Sequence, residues 1–185
     1  MIFRRLTLLL AGLLLLAGPA FAQSTFETGF GGLGGESDEP IEIESDELEV
    51  RDQEGLAIFI GNVVVVQGES RMKTAQLTVH YDTENQETED AAPAAQGPGG
   101  SQQISKLVAT GGVVVTTKEQ TATGNTGTVD MKTNMLELDG DVTLTQGQNV
   151  VNGNKLIVNL DTGHARVLSD SRVRVLLVPN SANQN

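Results

Sequence analysis

Cysteine is absent, and with it any disulfide framework, thiolate nucleophile or thiolate metal site. Tryptophan is absent too, tyrosine occurs once, and aromatics make up only 3% of the chain. That removes the stacking platforms on which single-stranded nucleic acids are bound. Positive charge is scarce: 12 Lys and Arg face 24 Asp and Glu, for a net charge of −12. Binding to nucleic acid depends on Lys and Arg that release phosphate counterions. A surface this acidic therefore excludes nucleic acid as a partner. No GxSxG, P-loop or HExxH pattern occurs. The two histidines, His80 and His164, have no partner at ligand spacing. Acidic residues such as Asp82, Asp130 and Asp161 recur at turns, where Asp caps the backbone. None of them belongs to a dense calcium loop. The sequence thus points to no catalytic centre, no metal and no cofactor.

Long hydrophobic runs are confined to the start. Arg4 and Arg5 precede an apolar run over residues 6–16, and Ala20-Phe21-Ala22 follows. A charged n-region, an apolar h-region and a small-x-small site make residues 1–22 a cleaved secretory signal peptide. The alternative, an uncleaved anchor, meets a run too short to span a bilayer comfortably. Loss of the two arginines takes the net charge from −12 to −14. Residues 23–39 are Gly-rich and acidic without apolar periodicity, which reads as a flexible leader. Phe26 and Phe30 are expected to be solvated there.

What the chain does have is a repeat. Residues 61–83 read GNVVVVQGESRMKTAQLTVHYDT, and residues 140–162 read GDVTLTQGQNVVNGNKLIVNLDT. Gly61 and Gly140, Gln67 and Gln146, Leu77 and Leu156, and Asp82 and Asp161 are each 79 apart. A weaker copy lies 50 residues after the first, pairing Gly61 with Gly111, Val63 with Val113 and Val79 with Val129. The last step is therefore 29 residues, and a period of that size marks a stacked or rolled repeat architecture. The first step is longer because of residues 84–103, whose Pro, Gly, Gln and acidic composition reads as a disordered insertion. Subtracting one period from Met72, Leu77 and Val79 lands on Ile43, Leu48 and Val50, so residues 41–52 are the second half of an earlier copy.

Within each copy the apolar residues alternate, as in strands with one wet face. In the second half the parity changes: Met72 is even, while Leu77, Val79 and Tyr81 are odd. Side chains alternate faces along a strand, so a parity change needs an irregularity to keep one face inward. A β-bulge or corner is expected near Ser45-Asp46, Thr74-Ala75, Gly124-Asn125 and Gly153-Asn154. In the first half, parity is kept through Gly61, Gly111 and Gly140, which suits a glycine kink inside a strand better than a hairpin turn. The inward set is Ile41, Ile43, Phe59, Val63, Val65, Met72, Leu77, Val79, Tyr81, Val113, Val115, Val129, Met131, Leu136, Leu138, Val142, Leu144, Val151, Leu156, Val158, Leu160, Val173 and Val175. His80 falls on the outer face. Residues 173–178 form a last strand, and residues 180–185 a loose tail. The prediction is one all-β domain over residues 40–179 with about a dozen short strands and no convincing helix after the signal: a sandwich, jelly roll or solenoid. Its inward set is either an ordinary packed core or an apolar trough for acyl chains.

The segments PIEIESDELEV, GNVVVVQG, GDVTLTQGQNVVNGNKLIVNL and RVRVLLVPNS resemble, in chain order, the OstA-like family of lipopolysaccharide-transport proteins. The resemblance spans about residues 40–180. It implies a V-shaped β-jelly roll, open at both ends, with a hydrophobic groove that shields lipid A acyl chains in the periplasm. It assigns the groove to the inward set. It also implies head-to-tail docking through an N-terminal strand at Ile41 and Ile43 and a C-terminal strand at Val173, Val175 and Leu177. The partners would be an LptC-like inner-membrane-anchored protein, an LptD-like outer-membrane protein and further copies of the chain. Two features depart from the pattern: Ala75 and Asn154 stand where the family often has Asp. Without the resemblance, the rivals are a structural or adhesive β-solenoid with no ligand and a solenoid lyase. The second would need a carboxylate or basic cluster on one outer face, and no such cluster occurs.

Overall fold

The computed structural model describes residue 30 and residues 39–82 and 103–179. The segments read as signal peptide, leader, insertion and tail lie outside the described residues, except for Phe30, Glu39 and Gln103. The described chain is a ten-stranded antiparallel sheet. Its strands are β1 (Glu42–Glu44), β2 (Glu47–Arg51), β3 (Leu56–Gln67), β4 (Ser70–Tyr81), β5 (Ile104–Thr116), β6 (Gln120–Asp130), β7 (Met135–Gln146), β8 (Asn149–Asn159), β9 (Ala165–Leu168) and β10 (Arg174–Leu176). The six long strands, β3 to β8, pair in sequence order. Each edge is a strand split in two. On one side β1 and β2 pair with successive halves of β3, and on the other β10 and β9 do the same with β8. That is the half-copy the repeat offset placed at residues 41–52, with its counterpart at the far end.

The repeat dictates a bend. Ile60 is opposite Gln76 and Val63 is opposite Thr74, so Gly61 and Asn62 face Ala75 alone. The same two-against-one bulge recurs where Thr110 and Val113 face β6, and where Asp139 and Val142 face β8. The register shifts at the positions read from parity, with the doubled residues on the partner strand. Both bulge residues adopt left-handed backbone: Gly61 and Asn62, Gly111 and Gly112, Gly140 and Asp141. Glycine leads each pair because no room exists for a side chain. A Cβ on Gly61 would meet Asp46 Oδ2 at 2.5 Å, and one on Gly140 would meet Asn125 Nδ2 at 2.5 Å. β7 runs unbroken through Gly140, as the preserved parity required.

These bulges lie in line across neighbouring strands and fold the sheet along one crease. The two halves of every long strand then face each other. Inner side chains on both sides of the crease are sealed, among them Phe59 and Val63 on β3 and Leu138 and Val142 on β7. At the crease the fit is tight: a Cβ on Gly127 would come within 3.0 Å of Leu138 and 3.3 Å of Val113. Burying each large aliphatic side chain contributes about 1.5–3 kcal/mol, and this face carries the stability of the fold. One residue corrects an expectation. Phe30 is not solvated; it is fully buried and joins the core cluster.

Candidate functional site

The inner face is built from alternate residues of six strands. Phe59, Val63, Val65, Met72, Leu77, Val79, Val113, Val115, Val129, Leu136, Leu138, Val142, Leu144, Leu156, Val158 and Leu160 are buried at 0–7% exposure. Ile41, Ile43, Tyr81, Met131 and Val151 are half-buried and pack against them. Val173 and Val175 depart from the expected inward placement, at 41% and 53% exposed. Val175 is in register with Val151, so it shares the inner side of the sheet, but nothing among the described residues covers it at the edge. Alternation reads which side a residue takes, not what lies across from it.

Ala57, Leu107, Ala109 and Ala122 are also buried in this interior and are absent from the sequence reading of the site. The offsets would have found them. Leu107 lies 50 after Ala57, Leu136 lies 79 after it, and Ala122 lies 50 after Met72. The buried polar residues Gln67, Ser70, Thr74 and Gln120 had no apolar signal to mark them. Thr74 is satisfied at the crease, where its hydroxyl donates to the carbonyl oxygen of Thr110 at 2.8 Å.

The crease positions that depart from the family's Asp are filled in other ways. Asn154 Oδ1 accepts from Ser169 Oγ at 2.9 Å and from the Asp170 amide at 3.0 Å, pinning the corner between β9 and β10. Ala75 faces Gly111, where a Cβ would come within 2.7 Å of its own Cβ. In the earlier half-copy Asp46 keeps the carboxylate, which accepts from Asn62 Nδ2 at 2.8 Å.

The outer face is mixed: Ile58, Ile60, Val64, Val66 and Val114 lie on it beside polar and charged groups. Lys155 Nζ bridges Glu137 at 2.9 Å and Asp139 at 3.3 Å, and the hydrogen bond to Glu137 is the main cause that holds its ammonium above the usual range. Asp130 Oδ1 accepts from the amides of Lys132 and Thr133, both at 3.0 Å, and the Thr133 bond chiefly holds its carboxyl below the usual range. His80 lies in an outer concavity with Ser105, Lys106, Asp130 and Lys132, and His164 is exposed. Burial pushes the Tyr81 phenol up at one end of the interior.

The edges differ in charge. The first carries exposed Glu42, Glu44, Glu47 and Glu49, and the last carries exposed Arg166, Arg172 and Arg174. The last edge also exposes Val175, Leu176 and Leu177, at 53–60%. β10 is shorter than the strand expected over residues 173–178, and beyond it the Val178 amide donates to Asn149 Oδ1 at 3.0 Å.

Comparison with known proteins agrees with this architecture. The crystal structure of LptH, described as the LptA homologous periplasmic component of the lipopolysaccharide transport device of Pseudomonas aeruginosa, superposes with a TM-score of 0.60. The alignment is 18% identical and covers 76% of this chain and 96% of that one. It establishes the fold as the LptA-like β-jelly roll. The uncharacterized protein R00383 of Rhizobium meliloti (strain 1021) is 36% identical over 176 residues, covering 94% of this chain and 89% of that protein. The sequence profile described as LptA/(LptD N-terminal domain) LPS transport protein matches residues 42–164, and by that match the chain belongs to this family of lipopolysaccharide transport proteins.

Proposed function

We propose that the chain is a periplasmic carrier that shields lipid A acyl chains between the two walls of its folded sheet, as one span of a bridge from the inner to the outer membrane. The observation that carries the reading is the continuous aliphatic inner face, repeated copy by copy across six strands without a charged residue among its buried positions. Such a surface matches acyl chains in chemistry and in extent. The interior is closed here, its lining sealed at 0–7% exposure, so acyl chains enter by opening it. The family membership supports the cargo, and the signal-peptide pattern supports the compartment. Among the described residues no charged group is buried in the interior, which favours carriage over catalysis.

The split edge strands are the proposed docking sites. Each edge leaves backbone donors and acceptors open for strand addition, which supplies affinity through main-chain bonds. An acidic first edge and a basic, apolar last edge are complementary. Copies would therefore join head to tail, and a heterologous contact of this kind propagates. An LptC-like and an LptD-like protein would occupy the two ends of the row.

The closed interior also favours a second reading: a bridge that joins partners through its edges while its inner face is only a packed core. Photo-crosslinking in cells separates the two. Leu144 and Val158 line the interior, and Thr143 and Asn159 do not. Crosslinkers at the first pair should capture lipopolysaccharide and those at the second should not. Equal capture at all four, or none at any, refutes carriage by the inner face.

A further inference from the structure

The inner apolar rows end in a polar rung. At the β3–β4, β5–β6 and β7–β8 turns, which lie at the same end of the sheet, the repeat aligns Gln67, Thr117 and Gln146, and likewise Ser70, Gln120 and Asn149. All six are amides or hydroxyls, and none is charged. Gln67, Ser70 and Gln120 are 3–5% exposed, as buried as the valines beside them.

In the outer copies these amides hold the segments that flank the sheet. Gln67 Nε2 donates to the Glu39 carbonyl at 3.1 Å, and Asn149 Oδ1 accepts from the Val178 amide at 3.0 Å. In the middle copy neither task exists, because no terminal strand passes there. Gln120 Nε2 and Thr117 Oγ1 are sealed from solvent and make no hydrogen bond. A buried donor without an acceptor is unfavourable and uncommon in a folded protein. Gln120 points inward, since Ala122, two residues on, is buried on the same side. The turn itself does not need the side chains: the Thr117 amide already donates to the Gln120 carbonyl at 2.9 Å.

We propose that Thr117 and Gln120 form a polar subsite at the turn end of the interior that binds an uncharged oxygen of the cargo. An ester or amide carbonyl, where an acyl chain joins its head group, has the matching chemistry. The amide NH2 donates to the carbonyl, and the threonine hydroxyl donates or accepts beside it. A phosphate is a poorer match. The cation of this turn, Lys118, lies outside on the exposed surface and pairs with Glu69 at 3.6 Å, and Glu119 is its neighbour. The subsite rests on the acyl-carrying reading and adds a direction to it. The acyl linkage sits at the turn end, and the tails run along the apolar rows toward Tyr81 and Leu160.

Gln120→Met keeps the length of the side chain and removes the amide, and Thr117→Val removes the hydroxyl. Binding is measured with lipid A, which carries ester and amide linkages, and with a fluorescent alkyl probe that has none near its chain. Thermal unfolding is recorded on the lipid-free protein. Each variant should bind lipid A about five-fold more weakly, the net worth of one hydrogen bond. Each should bind the alkyl probe as the parent does and unfold at an equal or higher temperature. Loss of both probes together with a lower melting temperature makes the pair structural and overturns the subsite. Unchanged lipid A binding overturns it as well. If the parent binds the alkyl probe but not lipid A, the subsite falls while an apolar interior stands. If it binds neither, the acyl-carrying reading fails and the subsite with it.

Discussion

Replacing Phe30 by alanine separates a residue that belongs to the interior from one that merely precedes the domain. Phe30 is 0% exposed and lies in the same cluster as Leu77, Leu136 and Leu138. Truncating a well-packed phenylalanine to alanine costs about 3–5 kcal/mol, the transfer of the ring plus the cavity left behind. A solvated phenylalanine would cost no more than about 0.5 kcal/mol. For a β domain of this size, a loss of about 3 kcal/mol lowers the melting temperature by about 10 °C. Circular dichroism melts of the two proteins measure the shift. Phe30→Trp adds an independent readout, because the chain has no other tryptophan. The emission of the introduced indole should be blue-shifted and resist acrylamide. A melting shift under about 2 °C, with the indole emitting as in water, would refute the placement of the ring in the core.

At the crease, Gly140→Ala should cost about 2–3 kcal/mol, because φ of +80° is disfavoured for L-residues and the new Cβ meets Asn125 at 2.5 Å. Urea melts should show Asn125→Gly recovering the steric part in the double variant and leaving the backbone part. Asp130 has its carboxyl held below the ordinary value of 3.8. Its contribution is present above that value and lost as pH falls through the lower, folded one. Asp130→Ala should therefore destabilise at neutral pH and flatten the loss of stability in acid, below about pH 4, as followed by melts across pH. Truncation before Arg172 removes β10 and two of the three edge arginines, and light scattering against concentration should find a folded monomer where the full chain associates. The Asp82 amide donates to the Gln103 carbonyl at 2.9 Å, so the ends of the inserted stretch already touch. Deleting residues 84–102 and closing the gap with a short turn should move the melting temperature by less than about 3 °C.

Most of the fold was legible because one physical rule, the period of two along a strand, holds through every copy. The parity change at Thr74-Ala75 marks the crease, since only an irregularity keeps Met72 and Leu77 on one side. The kink at Gly140 was legible for the same reason. Other features left no periodic trace. Phe30 stands in a glycine-rich stretch without apolar periodicity, and its burial depends on what the sheet offers it, not on its neighbours in sequence. Gln120 was passed over because an apolar pattern cannot mark a buried amide. Val173 and Val175 show the converse: alternation gave them a side, and their edge position left that side uncovered.

Strand order in this sheet has a consequence for how such proteins change in size. Each repeat adds two strands beside the last, at about 4.8 Å apiece, so the interior lengthens in steps of about 10 Å per copy. Its depth is set separately, by strands of 11–13 residues folded at their middle. Duplicating one 29-residue copy would extend the interior by one step and leave the crease, the turns and both edges as they are. Lengthening a strand would deepen it and leave the span unchanged. Reach and capacity are thus independent dimensions under separate selection, the first counted in whole copies and the second in pairs of residues.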